Sequence, residues 1–279
     1  MAHRPKHPAS FSSIARHALF AALAIGLWLN AASAVGAEKF LGRDNIEITV
    51  YEPDGSQVIG HGRYVFHQQG RMVDVRGDVH YTDGSRDLEH DLVSEPPNSD
   101  PVLRLFRATF LAPDGSPLLV ERANFRTGQA SCKWASEGND DYQATLQVPP
   151  DTYAGALAVM PLEEAFARGE QASSMHMFEC MPKPAIVAVD AELQSDSHWR
   201  FHPGVVAHLQ LFPDLGWLTT LASPFIPKVS VWLDPAAGWA YIGTLKARFY
   251  KGPEELMVRK LPDRPSPTLP GGPAPHPST

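Results

Sequence analysis

The sequence predicts a mostly β protein: one large, curved antiparallel sheet, half-barrel or sandwich-like, with one or two helices packed on it. Three observations predict this class. Apolar and polar residues alternate through many short segments, Asp-Gly turns separate several of them, and no regular exchange of strands with long helices occurs. The 279 residues, of which 43% are hydrophobic, are enough to bury one large core.

Alternation is clearest in the first predicted strands. Ile46, Ile48 and Val50 are separated by Glu47 and Thr49 before the first Asp-Gly turn, and the segment 73–81 repeats the pattern before the second turn. A period of two places apolar side chains on one face and polar side chains on the other. Each segment is therefore predicted to be a strand with one buried face.

The triplet Asp-Gly-Ser occurs three times, beginning at Asp54, Asp83 and Asp114. Asp-Gly between two alternating runs is a strong hairpin signal, because glycine accepts the positive φ of such a turn. A calcium loop would need further acidic or amide ligands and a distant Glu, and a phosphate loop would need several glycines opening a helix. The triplets are therefore interpreted as turns.

One segment departs from the strand pattern. Residues 151–169, "DTYAGALAVMPLEEAFARG", predict a helix with Asp151 as N-cap and Gly169 at its end. Proline inside a helix removes a hydrogen bond, so we expect Pro161 to kink or split it.

The two ends of the chain differ from its middle. Residues 1–37 contain three basic residues, no acid and an apolar run, typical of a secretory signal cleaved after Ala34 or Ala37. Residues 262–279 are proline-rich and predict a disordered tail, which leaves a single domain at 38–261. Cleavage would leave 21 Lys and Arg against 31 Asp and Glu, a net charge of −10. We expect a periplasmic or secreted protein with no stable membrane span and no nucleic-acid partner.

Several short motifs occur together between residues 40 and 260. They are Asp83-Gly84-Ser85 with Glu89, Pro149-Pro150 with Tyr153 and Gly155, Pro182-Lys183-Pro184, Val229 or Val231 with Trp232, and Gly252-Pro253. With these motifs the chain resembles a family of secreted, functionally unassigned bacterial proteins, a resemblance that implies compartment and fold but no activity. More distantly, the predicted architecture resembles the half-barrels of periplasmic lipoprotein and lipid carriers.

The densest group of reactive side chains is "DGSRDLEHDL". Asp87, Glu89 and Asp91 alternate, so on a strand their carboxylates share one face, with His90 on the other. Such a row could bind a cation or act as acid and base, but the simpler interpretation is a solvated strand face. Glu89, which also matches the family pattern, is the one weak catalytic candidate. No other catalytic residue, metal site or cofactor is indicated, and His198 and His202 read as a surface pair.

The two cysteines, Cys132 and Cys180, are expected to form a disulfide, because export leaves them in an oxidising compartment.

Export without a visible catalytic motif favours a non-catalytic binding or carrier role for a hydrophobic small molecule or lipid. The predicted lining of an apolar cavity between helix and sheet comprises Leu157, Met160, Phe166, Val231 and Trp232. Two alternatives remain: a cell-envelope hydrolase using carboxylates near Glu89, and a scaffold that pairs with an envelope protein through a sheet edge.

Overall fold

The computed structural model describes residues 45–95, 101–135, 141–194, 197–214 and 229–261. The predicted signal segment and proline-rich tail lie outside these ranges, as do residues 136–140 and 215–228. Within the described ranges, no helix has the length and apolarity needed to cross a membrane.

Strands dominate these ranges. They are β1 (Ile46–Tyr51), β2 (Val58–Gln69), β3 (Met72–Tyr81), β4 (Arg86–Ser94), β5 (Val102–Leu111), β6 (Pro117–Asn124), β7 (Gln129–Trp134), β8 (Asp141–Thr145), β9 (Thr152–Tyr153), β10 (Ala172–Cys180), β11 (Pro184–Leu193), β12 (Ser197–His198), β13 (Val205–Pro213), β14 (Val229–Asp234), β15 (Ala240–Ala247) and β16 (Glu254–Arg259).

Fifteen of these strands form one unclosed sheet. From one end to the other the order is β8-β7-β6-β5-β4-β3-β2-β1-β16-β15-β14-β13-β11-β10-β9, and β12 pairs with β13 outside this path. Chain neighbours pair as hairpins, and β1 pairs with β16, so the first and last described strands meet in the middle of the sheet. All pairings are antiparallel except that of β9 with β10. The predicted fold class is confirmed.

The three Asp-Gly-Ser triplets form the turns that the sequence predicts. Gly55, Gly84 and Gly115 all have positive φ, between 66° and 89°. In each turn the aspartate side chain accepts a hydrogen bond from the backbone N–H of the serine two residues later, at 2.8 to 2.9 Å. This local bond is typical of Asp at a turn and stabilises the bend without a bound ion.

The helical segment is shorter than predicted. It begins with β9, continues as a 3-10 helix over Gly155–Val159 and ends as the α-helix α1 (Met160–Ala167). Asp151 caps no helix and instead contacts His176 Nδ1 at 3.0 Å. Pro161 lies in the first turn of α1, where its missing N–H costs nothing, so it starts a helix rather than kinking one. Gly169 ends the segment with φ +86°, as predicted.

Contacts between its two ends curl the sheet. The disulfide joins Cys132 on β7 to Cys180 on β10, with their Cα atoms 5.8 Å apart, which confirms the predicted pairing. Beside it, Trp134 Nε1 donates to the carbonyl of Pro182 at 2.8 Å. Phe178 on β10 packs edge-on against Phe106 on β5, with ring centroids 5.8 Å apart. The apolar side chains of both ends and of α1 form one core.

Candidate functional site

The acidic row of β4 lies on the concave, core-facing side of the sheet. Asp87, Glu89 and Asp91 are opposite apolar residues, glycine or alanine on β3 and β5, most of them members of the core. Asp91 is fully buried, whereas His90 on the other face is exposed. The alternation predicted the shared face correctly, but the interpretation as a solvated face is wrong.

Arg248, which follows β15, holds one end of this row. Its Nε lies 2.9 Å from Asp87 Oδ2, and its Nη1 donates to Ser85 Oγ at 2.9 Å. The guanidinium carbon lies 3.8 Å from the centroid of the Tyr81 ring, a cation–π contact. Because Ser85 Oγ in turn donates to Asp83 at 2.6 Å, the second Asp-Gly-Ser turn is tied to the interior network.

Tyr81 and Glu255 extend this network towards Lys246. The Tyr81 hydroxyl lies 2.7 Å from Glu255 Oε2 and 2.9 Å from Asp87 Oδ2, and its one proton can serve only one of them at a time. Burial raises the pKa of Glu255, although Lys246, with its Nζ 3.7 Å from Glu255 Oε1, opposes the rise. The two cations Lys246 and Arg248 are thus linked to Glu255 and Asp87 through the Tyr81 hydroxyl.

Glu89 connects two of the motifs that carry the family resemblance. Its Oε1 accepts the backbone N–H of Ala156 at 2.8 Å, and its Oε2 lies 3.4 Å from the Tyr64 hydroxyl. A side chain on Gly155 would collide with this carboxylate, and Gly155 also has positive φ. The glutamate of the first motif therefore positions the 3-10 helix that follows the second. These contacts give Glu89 a structural role. A catalytic role for Glu89 stays a prediction.

Asp91 is the most enclosed carboxyl group of the row. Burial, followed by the negative charge of Glu89, raises its pKa well above the ordinary range. Neither oxygen of Asp91 has a conventional donor among the described residues. A protonated Asp91 resolves this conflict, because its proton can be shared with Glu89, whose own pKa is raised chiefly by burial. Burial and the charge of Glu89 therefore favour the neutral form of Asp91.

Two further glutamates face this region from opposite ends of the sheet. Burial raises the pKa of Glu121 on β6 well above the ordinary range, and the charge of Glu179 on β10 adds to the rise. Burial also raises the pKa of Glu179, to about 7, against the lowering influence of Lys246. Desolvation acts to lower the pKa of Lys246, but the surrounding carboxylates more than offset it. The interior therefore gains negative charge near pH 7.

The raised pKa of Glu179 predicts a loss of stability with rising pH. Between its ordinary value of 4.5 and about 7, the folded protein keeps a proton that the unfolded chain has released, so raising pH favours unfolding. We expect Glu179→Gln to match the wild type at pH 4.5 and to exceed it in unfolding free energy by about 1–3 kcal/mol at pH 8. Urea denaturation at both pH values measures this. Glu170→Gln, at an exposed site, is the control, and an equal difference at both pH values would contradict the prediction.

The five predicted lining residues are not brought together as one cavity wall. Leu157, Met160, Phe166 and Val231 are packed in the core with at most 4% of their surface exposed. Trp232 lies on the opposite face of β14, where its ring stacks on Trp199 and His208 at 4.8 and 5.1 Å between centroids. Their role in ligand binding stays a prediction.

His202 is not part of a surface pair, and that interpretation is wrong. Its side chain is 2% exposed, and its Nε2 lies 3.1 Å from Asp234 Oδ2. Its Nδ1 accepts the backbone N–H of Gly204 at 3.1 Å, so Nε2 carries the proton and donates to Asp234. This buried pair fixes the loop before β13 against β14, and His198 takes no part in it.

Sequence reasoning missed the interior partners on other strands: Glu121, Glu179, Lys246, Arg248 and Glu255. A signal existed for two of them, because Lys246 and Arg248 alternate with apolar residues and therefore share one strand face. No three His, Cys, Asp or Glu side chains within the described ranges are grouped as metal ligands.

Comparisons with known proteins assign no family to this chain. No protein-family model matches the chain, and no curated protein does. Among solved structures, a β-barrel-like protein of the domain of unknown function DUF1849 from Brucella abortus is similar at a TM-score of 0.40 and 11% sequence identity. The match covers 77% of this chain and 93% of that one. The neighbour is itself bacterial and has no assigned function, and no activity is transferred from it.

Proposed function

We propose that the protein is an exported, non-catalytic binding or carrier protein of the cell envelope. Its ligand would be lipid-like, with an apolar part and a head group that donates hydrogen bonds, held inside the curved sheet. The disulfide supports export, because such bonds persist mainly in oxidising compartments.

The surroundings of Lys246 carry this proposal. Protein surrounds its ammonium closely enough that desolvation is the largest influence on its pKa, yet 37% of its side-chain surface is accessible. From this combination we infer that Lys246 borders a partly enclosed space within the curved sheet. Glu89 and Glu179, whose pKa values are also raised chiefly by burial, are likewise only partly covered. We infer that this space is where a ligand binds.

The walls of this space suit an amphiphilic molecule. Met177 lies two residues before Glu179 on β10 and so shares its face, and its partner Val187 on β11 is also a half-buried residue at the edge of the core. Carboxylates and the Tyr81 hydroxyl can accept hydrogen bonds from hydroxyl or ammonium groups of a ligand. The apolar part of the ligand would then contact Met177 and Val187 rather than the fully packed Leu157 and Phe166.

The proposal is tested by filling the inferred binding space with a larger side chain and measuring the binding of a dye. We expect an environment-sensitive apolar dye to bind the wild type and to be displaced by long-chain amines or monoacylglycerols. Met177→Trp should weaken dye binding at least about tenfold, because the larger ring occupies the space. Met181→Trp, with the same substitution at a side chain 42% exposed just after β10, is the matched control. Equal dye affinity of both variants and the wild type would contradict an internal site.

A second candidate function, an envelope hydrolase, is favoured by one observation. Glu121, with a pKa well above its ordinary range, and Glu179, with a pKa of about 7, could act as acid and base across the same space. The same preparations should be assayed with generic ester and glycoside substrates. Turnover that disappears in Glu179→Gln and persists in Glu170→Gln would replace the carrier proposal with this one.

A further inference from the structure

We propose that the outer face of β4 to β8 carries a binding site for a phosphate monoester on a hydroxyl-rich scaffold, centred on Arg107 and Arg122. This site is separate from the interior space and from the proposed carrier function.

The register of the sheet places two arginines side by side. Arg107 on β5 is directly opposite Arg122 on β6, and His90 on β4 is opposite Arg107 from the other side. Both arginines are exposed, on the face opposite the core. Like charges directly opposite each other on neighbouring strands destabilise a sheet. The arrangement therefore works against stability, in a chain whose overall charge is −7.

Nothing in the described part of the chain neutralises these two side chains. Neither guanidinium forms a hydrogen bond or ion pair with another described residue, whereas the exposed Arg76 and the half-buried Arg86 are each paired with an aspartate. His90 is shared with Asp74 at 3.3 Å. The one acidic side chain that borders the site, Asp141, is opposite Lys133 in register. Two adjacent positive charges thus remain available to an external anion.

The two arginines lie in a groove of about 870 Å³ on the surface. Half of its remaining wall is amide and hydroxyl side chains, Asn124, Gln129, Ser131, Gln143 and Thr145, and the other half is apolar, Leu105, Phe106, Ala123, Ala130 and Ala144. A groove of this volume holds a ligand larger than a simple ion. Amide and hydroxyl groups of this kind bind hydroxyl groups as both donors and acceptors.

Charge decides between the anions that arginine recognises. A guanidinium binds a carboxylate or a phosphate in a bidentate manner, and one carboxylate carries a single charge. A phosphate monoester carries nearly two charges at pH 7, which matches two adjacent guanidinium groups. With hydroxyl-binding side chains around it, the site fits a phosphorylated sugar, either free or as part of a larger molecule.

Calorimetric titration with glucose 6-phosphate, with glucose as the control ligand, tests this site. We expect the wild type to bind the phosphorylated sugar and not glucose, and the double variant Arg107→Gln/Arg122→Gln to bind at least about tenfold more weakly. Arg63→Gln removes the same charge from an exposed position on β2, flanked in register by Glu47 and Asp78, and should leave binding unchanged. The double variant should melt at the same temperature as the wild type or higher, since a repulsion has been removed.

A second arm locates the source of the phosphate. Phosphatidylcholine vesicles containing phosphatidic acid present the same monoester on a lipid. Vesicle binding that depends on both arginines, with no binding of glucose 6-phosphate, would assign the phosphate to a lipid head group and retain the site. Absence of binding in both arms, or equal binding by the folded double variant, would overturn the proposal.

Discussion

Replacing Arg248 by Met is expected to lower the free energy of unfolding by about 3–5 kcal/mol. The side chain is 7% exposed, and it supplies a two-pronged contact to Asp87, a hydrogen bond to Ser85 and a cation–π contact with Tyr81. Methionine fills much of the volume but leaves the Asp87 carboxylate enclosed without its counter-charge. The cost is mainly that of an uncompensated buried charge, and urea denaturation at pH 7 measures it.

Two further variants separate burial from charge pairing. Arg76→Met breaks an arginine–aspartate contact of 2.9 Å in which the arginine side chain is 65% exposed, and it should cost less than about 1 kcal/mol. The double variant Arg248→Met/Asp87→Leu removes both charges and should recover much of the loss, since a buried pair is often replaceable by apolar residues. A loss from Arg248→Met no larger than that from Arg76→Met would show that the interior network does not stabilise the fold.

Much of the fold could be predicted because its determinants are local. Alternation identifies β1 and β3, and Asp-Gly fixes the turns at Gly55, Gly84 and Gly115, since both depend only on neighbouring residues. The predicted helix over 151–169 is longer than the observed one, because the local pattern does not show that Thr152 and Tyr153 form β9. Gly155, with positive φ, begins the 3-10 helix instead, and the space around it is limited by Glu89 on a distant strand.

The candidate site was less predictable because its partners are distant in sequence. The shared face of Asp87, Glu89 and Asp91 follows from their spacing, but whether that face is wet or buried depends on what covers it. The covering residues include Arg248, which lies 161 positions from Asp87, and the turn at Ala156, 67 positions from Glu89. No local pattern contains that information.

The five predicted lining residues illustrate a different limit of local patterns. Val231 and Trp232 are adjacent on a strand, so a period of two already places them on opposite faces. The structure shows this directly, with Val231 in the core and Trp232 stacked on the other side. Leu157 and Phe166 belong to a core packed around α1, which the sequence could not distinguish from a cavity wall because both require apolar residues.

The disulfide joins two strands of the unclosed sheet, β7 and β10, that no backbone hydrogen bonds connect. Hydrogen-bonded ladders join each strand to its neighbour from β8 to β9 along the sheet, but no ladder joins β7 to β10. These two strands are held by Cys132–Cys180 and by the Trp134 hydrogen bond to Pro182, just after β10, while Phe178 on β10 packs against Phe106 on β5. Glu121 lies opposite Cys132 in register, and Glu179 precedes Cys180, so two acids lie beside the link. The junction therefore combines the largest covalent constraint with the most pH-sensitive pair.

Removing that link by Cys132→Ala/Cys180→Ala is expected to lower the free energy of unfolding by about 4 kcal/mol, because a loop of 48 residues is no longer closed in the unfolded chain. Reduction of the wild type should give the same loss, and hydrogen exchange should accelerate in β7, β8 and β10 before β1 to β3, which keep their ladders on both sides.

The control variant Trp134→Phe removes only the neighbouring hydrogen bond and should cost about 1 kcal/mol. If the disulfide acts through the junction, its removal should cost more at pH 8 than at pH 5, because Glu179 is then ionised beside the buried Glu121, across strands that the disulfide no longer joins. Equal losses at both pH values would limit its role to constraining the unfolded chain, and an unchanged unfolding free energy after reduction would refute both effects.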